Sequence, residues 1–141
     1  IDILEKAYIV FRMPSFSRNV RNEIKKNKNI YFYDNGIRNA VIGNYSFLSN
    51  RNDVGGLWEN YLVSERRKYN SYRGFYGQSY FWRTQQQQEV DYVEEIDGKI
   101  AAFEFKWNPN KKASFPQTFV KNYNPDKLAL IHRENYESFL S

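Results

Sequence analysis

The chain has 141 residues, 41% of them hydrophobic and 18% aromatic, enough for one folded domain with a substantial core. It contains no cysteine, which excludes disulfides, cysteine-ligated zinc and thiol nucleophiles. A net charge of +5 favours a polyanionic partner, and no apolar run approaches the roughly 20 residues of a membrane span.

No signal-peptide pattern is visible, so a cytoplasmic setting is expected. The initial Ile suggests a piece of a longer protein. Residues 1–13 read as the end of a helix (Ile3, Leu4) running into a strand at Tyr8-Ile9-Val10-Phe11. Ser15–Asn29 is polar and basic without apolar periodicity, a solvated connector or a wing whose Arg18, Arg21, Lys25, Lys26 and Lys28 suit a nucleic-acid backbone. Ile30-Tyr31-Phe32-Tyr33 is a short strand that ends at Asp34-Asn35-Gly36. Ile37–Ile42 reads as a short helix stopped by Gly43-Asn44.

Asn50–Gly56 is expected to be a loop, with Asp53 as N-cap of the helix that follows. Leu57–Lys68 carries the clearest helical pattern, with Trp58, Tyr61, Leu62 and Glu65 at i, i+3, i+4 and i+7. Glu59 falls about 100° round from Trp58, at the edge of that stripe. Arg66-Arg67-Lys68 at the helix end suits the macrodipole, and it is also a candidate nucleic-acid contact. Gly55-Gly56 forms no phosphate-binding loop, because no G-x-x-x-x-G-K is present; the chain alone should not bind ATP.

Asn70–Ser79 reads as a loop and Tyr80-Phe81-Trp82-Arg83 as a strand, with Gln85–Gln88 linking it to the next segment. That segment, Glu89–Trp107, has strand alternation on both sides of Asp97-Gly98, a strong hairpin signal. A two-residue loop there pairs Ile96 with Lys99, and so sets Asp91 opposite Glu104 and Glu89 opposite Lys106. Period two puts Glu89, Asp91, Glu104 and Lys106 on one face, and Val90, Tyr92, Phe103 and Phe105 on a core face. Carboxylates ~5 Å apart at an effective dielectric of ~20 repel by roughly 3 kcal/mol. Splayed solvated side chains, a raised pKa on one acid, or a bound cation would each relieve this. The hairpin is followed by a basic, proline-bearing loop with Lys111 and Lys112, a short helix over Phe115–Tyr123, an apolar strand Leu128–Ile131 read as buried on both faces, and a helical turn over Asn135–Leu140. Trp82 and Trp107 are assigned to the core, and His132 is read as an ordinary strand-end residue. The pattern implies an α/β fold with a mixed β-sheet flanked by helices.

Glu104-Phe105-Lys106 has the E-x-K spacing, and a helix acid, EVDYV and FEFK in succession resemble the PD-(D/E)XK nuclease superfamily with its restriction-endonuclease-like fold. The segments IYFYDNGIRNAVIGN, DVGGLWENYLVSE, YFWRT, EVDYVEE and AFEFKWN together resemble, more narrowly, the C-terminal domain of unknown function of a prokaryotic AAA-type ATPase family. The resemblance implies that residues 30–141 form the nuclease-like domain and residues 1–29 the tail of a preceding winged-helix-like segment. It implies Asp91, Glu104 and Glu59 as ligands of Mg²⁺ or Mn²⁺, which all-oxygen sites suit. Asp91, Glu104 and Lys106 would then be the catalytic set, with Gln88 and Glu89 lining the site. Val90 stands where the superfamily motif has proline. The activity implied is Mg²⁺-dependent hydrolysis of DNA within an ATPase assembly, the domain's own N-terminal ATPase module being a partner. A module that binds nucleic acid without cutting, or only docks on the ATPase, is the alternative.

Overall fold

The computed structural model describes residues 1–18, 22–43 and 51–141. Arg21 of the basic wing, Asn44 of the expected helix stop and Asn50 of the expected loop lie outside them. The chain opens with helix α1 (Asp2–Lys6) and strand β1 (Val10–Pro14), which pairs antiparallel with β2 (Lys28–Phe32). That pair joins residues on both sides of the expected boundary at 29/30, and its Phe11, Met13 and Tyr31 enter the main core.

Helix α2 (Asn35–Ile42) starts where Asp34 caps it, accepting hydrogen bonds from the Gly36 and Ile37 amides at 2.6 and 3.2 Å. It ends at Gly43, whose φ of +71° suits the left-handed cap. Helix α3 (Val54–Tyr72) runs longer than its apolar stripe predicts. Asp53 precedes it but does not cap it. Its carboxylate is taken by Arg51 at 2.7 Å and Arg38 at 3.1 Å, so the cap expectation is corrected by a local ion pair. Buried Asn60 anchors α3 to β2 by bonding both the Phe32 amide (2.8 Å) and the Phe32 carbonyl (3.0 Å).

Four strands form the main sheet in the order β3 (Gln78–Arg83), β4 (Glu89–Ile96), β5 (Lys99–Phe105), β6 (Lys127–Ile131). Neighbours are antiparallel except β5 and β6, which run parallel across a connection bearing helix α4 (Gln117–Tyr123). The β4–β5 turn has φ of +52° at Asp97 and +78° at Gly98, as a two-residue primed turn requires, and Ile96 pairs with Lys99. The hairpin register is the expected one from the turn to Tyr92 and Phe103, where the ladder stops short of the expected pairs Asp91–Glu104 and Glu89–Lys106.

The faces are not as expected. Opposite Phe81, strand β4 carries two residues, Asp91 and Tyr92, because Tyr80 pairs with Val93 while Trp82 pairs with Val90. This bulge breaks the alternation. Val90 consequently joins Val93, Trp82, Ala102, Phe16 and Phe119 on one side, while Tyr92 joins Phe103, Phe105, Trp58, Leu62 and Phe139 on the other. Both faces of the hairpin are packed, not one. The strand after α4 is corrected too: β6 is an edge strand, and Leu128 is 43% exposed. Trp82 is fully buried, whereas Trp107 is only half-buried. A 3-10 turn over Tyr136–Phe139 closes the chain by inserting Phe139 between Tyr92, Phe103 and Phe105. Among the described residues no helix is long and apolar enough to cross a membrane.

Candidate functional site

At the open end of the β4–β5 hairpin the ladder pairs its last residues at Tyr92 and Phe103. One step further, the Asp91 carboxylate replaces a ladder acceptor and takes the Phe105 amide at 2.9 Å. The bulge thus brings Asp91 into the space where β4 and β5 part. Glu104 stands beside it, only 6% exposed, and its Oε1 has no hydrogen-bond partner. Glu59 reaches the same region from α3, and Glu89 closes it from the start of β4, held by Arg83 at 3.2 Å. A small polar pocket of about 130 Å³ is lined by Asn29, Glu59, Phe81, Arg83, Glu89, Val90 and Asp91.

Four carboxyl groups in one half-buried region cannot all ionise cheaply. Burial, reinforced by Asp91 and Glu89, pushes Glu59 up to about 8. Burial and the charge of Asp91 push Glu104 up to about 7, against the pull of Lys106. Asp91 is also raised by burial, although the Phe105 amide opposes the shift. Raised pKa values, one of the three reliefs open to the sequence, hold for Glu59, Asp91 and Glu104 alike. Tyr31 comes into the same field from β2: burial and the nearby Glu59 raise its phenol. Lys106 lowers both Asp91 and Glu104 through space, and its own amide bonds the Ile131 carbonyl at 3.0 Å, fixing the strand end from which it projects.

The donor set suits a hard dication chemically. All its ligands would be oxygens, and one carboxylate oxygen, Glu104 Oε1, is buried without a partner. Among the described residues no three acidic or histidine groups converge as a ready-made cage. Mg²⁺ commonly keeps several waters and uses one or two carboxylates, so Asp91 with Glu104 is a chemically sufficient pair.

The other predicted residues are dispersed. Gln88 is exposed and bonds back to Thr84, outside the acid pocket's lining. Arg66, offered by the sequence as a nucleic-acid contact, is half-buried and engaged within the chain. Its guanidinium pairs with both Glu94 oxygens (2.9 and 2.7 Å) and with the Phe139 carbonyl (2.5 Å). Burial alone would raise Glu94, but Arg66 overcomes it and holds the carboxyl below its ordinary value. Arg67 lies over the Phe11 ring, and Lys68 pairs with Glu65 at 3.1 Å; both remain exposed, as do Lys111 and Lys112. The segment Ser15–Asn29, read as a solvated connector or a wing, contributes buried Glu23, which accepts from the Trp82 indole, the Tyr123 hydroxyl and Ser17. Arg83 and Asn29 at the acid pocket were not singled out by sequence. Arg83 lies 24 residues after Glu59, and only folding makes them neighbours.

The family model described as a domain of unknown function, DUF4143, matches residues 54–140, more than half of the chain. A second model, also of unknown function (DUF8612), matches residues 1–47. Uncharacterized proteins of Mycobacterium tuberculosis and Mycobacterium bovis are each 25% identical over 108 residues, 75% of this chain. The chain spans about a quarter (24%) of the length of these relatives. No solved structure matches it. The matched region contains α3, the whole four-stranded sheet and every carboxyl of the acid cluster, and the chain belongs to the family of the DUF4143 domain.

Proposed function

We propose that this domain is a PD-(D/E)XK nuclease-like module that hydrolyses DNA phosphodiester bonds with Mg²⁺ or Mn²⁺, as part of a longer ATPase-linked protein. The observation that carries the reading is Asp91 accepting the Phe105 amide beside Glu104 where two strands part, with Lys106 directly after the end of β5. Asp91, Glu104 and, from α3, Glu59 would hold the cation. When bound, the ion supplies polarisation of a phosphoryl oxygen and acidifies a water. Asp91 is pre-oriented by the Phe105 amide. Lys106 brings positive charge to the place where charge develops on the phosphoryl group. Exposed Arg67, Lys68, Lys111 and Lys112 would contact phosphates, and residues 1–29 would come from the end of a preceding winged-helix-like segment.

A second reading, a module that grips nucleic acid or docks on its ATPase without cutting, is favoured by one observation. Among the described residues no preformed cluster of three metal-ligating groups exists. Titration calorimetry with Mn²⁺ separates the two. The nuclease reading expects uptake at or below millimolar levels, abolished in Asp91→Asn and Glu104→Gln, together with nicking of plasmid DNA that fails in Lys106→Ala. Absence of uptake by the wild type at those levels rejects it.

A further inference from the structure

We propose that the groove between β1 and β3 is a docking site for an extended acidic peptide, which enters as a strand between the two edges. The end of β1 meets β3 at a single parallel bridge, Ser15 with Phe81, where the Phe16 amide donates to the Phe81 carbonyl at 2.7 Å. The next rung would need an N–H from residue 14 for the Ser79 carbonyl, and Pro14 has none. Among the described residues no further rung follows. Where pairing stops, a cavity of about 470 Å³ opens, within the ~300–1,000 Å³ typical of sites that hold a ligand.

Both walls of the groove present backbone. Tyr33 donates to the Ile9 carbonyl at 3.0 Å, so in this register Phe11 and Met13 use their main-chain groups on β2, and Arg12 turns its own toward β3. Period two puts the Ser79 main-chain groups on the same outer edge of β3 as those of Phe81. Phe11 and Met13 point into the core under α3, which leaves the Arg12 side chain on the other side of the sheet. Arg67 covers the α3 side, 4.6 Å above the Phe11 ring, exposed and without an ion pair among the described residues. Arg12 is held by Asp2 at 2.6 Å, a side chain 79% exposed that an incoming acid can replace. Among the described residues no carboxyl lines the groove.

These groups select the occupant. Guanidiniums on opposite sides of a sheet suit two neighbouring acids of one strand, because successive strand side chains alternate in direction. The edge carbonyls call for a row of N–H donors. An extended peptide carries both, as in other strands added to open sheet edges, whereas a phosphodiester chain has the charge without the backbone donors. Arg67 is also a candidate for DNA phosphate, and the experiment separates the two ligands. The groove shares no lining residue with the acid pocket, so the assignment does not depend on the proposed nuclease activity.

The test is anisotropy of a fluorescein-labelled peptide of alternating Thr and Val, with adjacent Asp and Glu at its centre, titrated with the 141-residue chain. Saturable binding is expected. Replacing the two acids by Asn and Gln should weaken it roughly tenfold or more, the range of a lost hydrogen bond to a charged group. N-methylation of alternate peptide amides should abolish it. Arg67→Glu should weaken it to a similar degree, with recovery when one of the acids is replaced by Lys. The peptide-side changes need no variant and decide if circular dichroism shows Arg67→Glu unfolded. No binding, equal affinity for the uncharged or N-methylated peptide, or unchanged affinity in folded Arg67→Glu overturns the assignment. Tighter binding of an oligodeoxythymidylate that displaces the peptide overturns it as well, and gives the groove to nucleic acid.

Discussion

Replacing Glu104 by Gln removes one charge from the acid cluster while keeping the side chain's shape. In the folded chain this carboxyl titrates at about 7, chiefly through burial and then through Asp91, against 4.5 for the free group. Between those values the folded chain holds a proton that the unfolded chain has released. Stability therefore falls as pH rises from about 4.5 to 7 and levels off above, at a cost of about 3 kcal/mol from this group. The residue as a whole is 6% exposed, and the carboxyl lies at the open end of the hairpin, where solvent screening brings that figure down. Glu59, raised to about 8, extends the decline by another unit of pH. Urea unfolding at pH 5, 7 and 8.5 should show the wild type losing stability steadily, and Glu104→Gln losing up to about 3 kcal/mol less across the same range. In thermal melts this corresponds to at most about 10 °C for a domain of this size. Parallel pH profiles for the two proteins would refute the reasoning, because they would mean that the Glu104 carboxyl is solvated and free of its neighbours.

The same cluster predicts that Mn²⁺ uptake at pH 7 releases roughly one proton per ion, since ligand carboxyls must ionise; calorimetry in buffers of different ionisation enthalpy measures this directly. Arg66→Ala should destabilise the fold by about 3–5 kcal/mol by leaving Glu94 buried without its cation, as read from chemical denaturation, and a loss below about 1 kcal/mol would contradict this pairing. Arg66→Lys should recover little of this, because an ammonium cannot occupy both Glu94 oxygens and the Phe139 carbonyl in the same planar way. Gly98→Ala should cost about 1–2 kcal/mol, since its φ of +78° penalises any Cβ, with no effect on affinity for metal or oligonucleotide.

Much of the fold was legible because the signals were local. Asp97-Gly98 fixes its own turn geometry, and with it the pairing of Ile96 with Lys99 and every pair down to Tyr92 with Phe103. Asp34 and Gly43 bracket α2 through bonds and dihedral angles within a few residues. The stripe Trp58, Tyr61, Leu62 locates α3 because helical period converts spacing into a face.

What stayed hidden depends on contacts between distant segments. The bulge at Asp91 and Tyr92 arises from pairing with β3, and it decides which sheet face Val90 and Tyr92 occupy. Arg66 reads as a surface charge at a helix end until Glu94 and Phe139 arrive from two other elements to enclose it. Glu23 likewise reads as a connector residue until Trp82 and Tyr123 close over it. The sequence by itself determined the hairpin and its register from the turn to Tyr92 and Phe103, because strand geometry follows from turn chemistry and period. Only tertiary packing decided where Asp91 stands, that Glu104 is buried, that Glu59 and Arg83 join them, and that the carboxyl pKa values are raised. Burial and through-space charge are properties of neighbours brought together in space, and no local pattern in the chain encodes them.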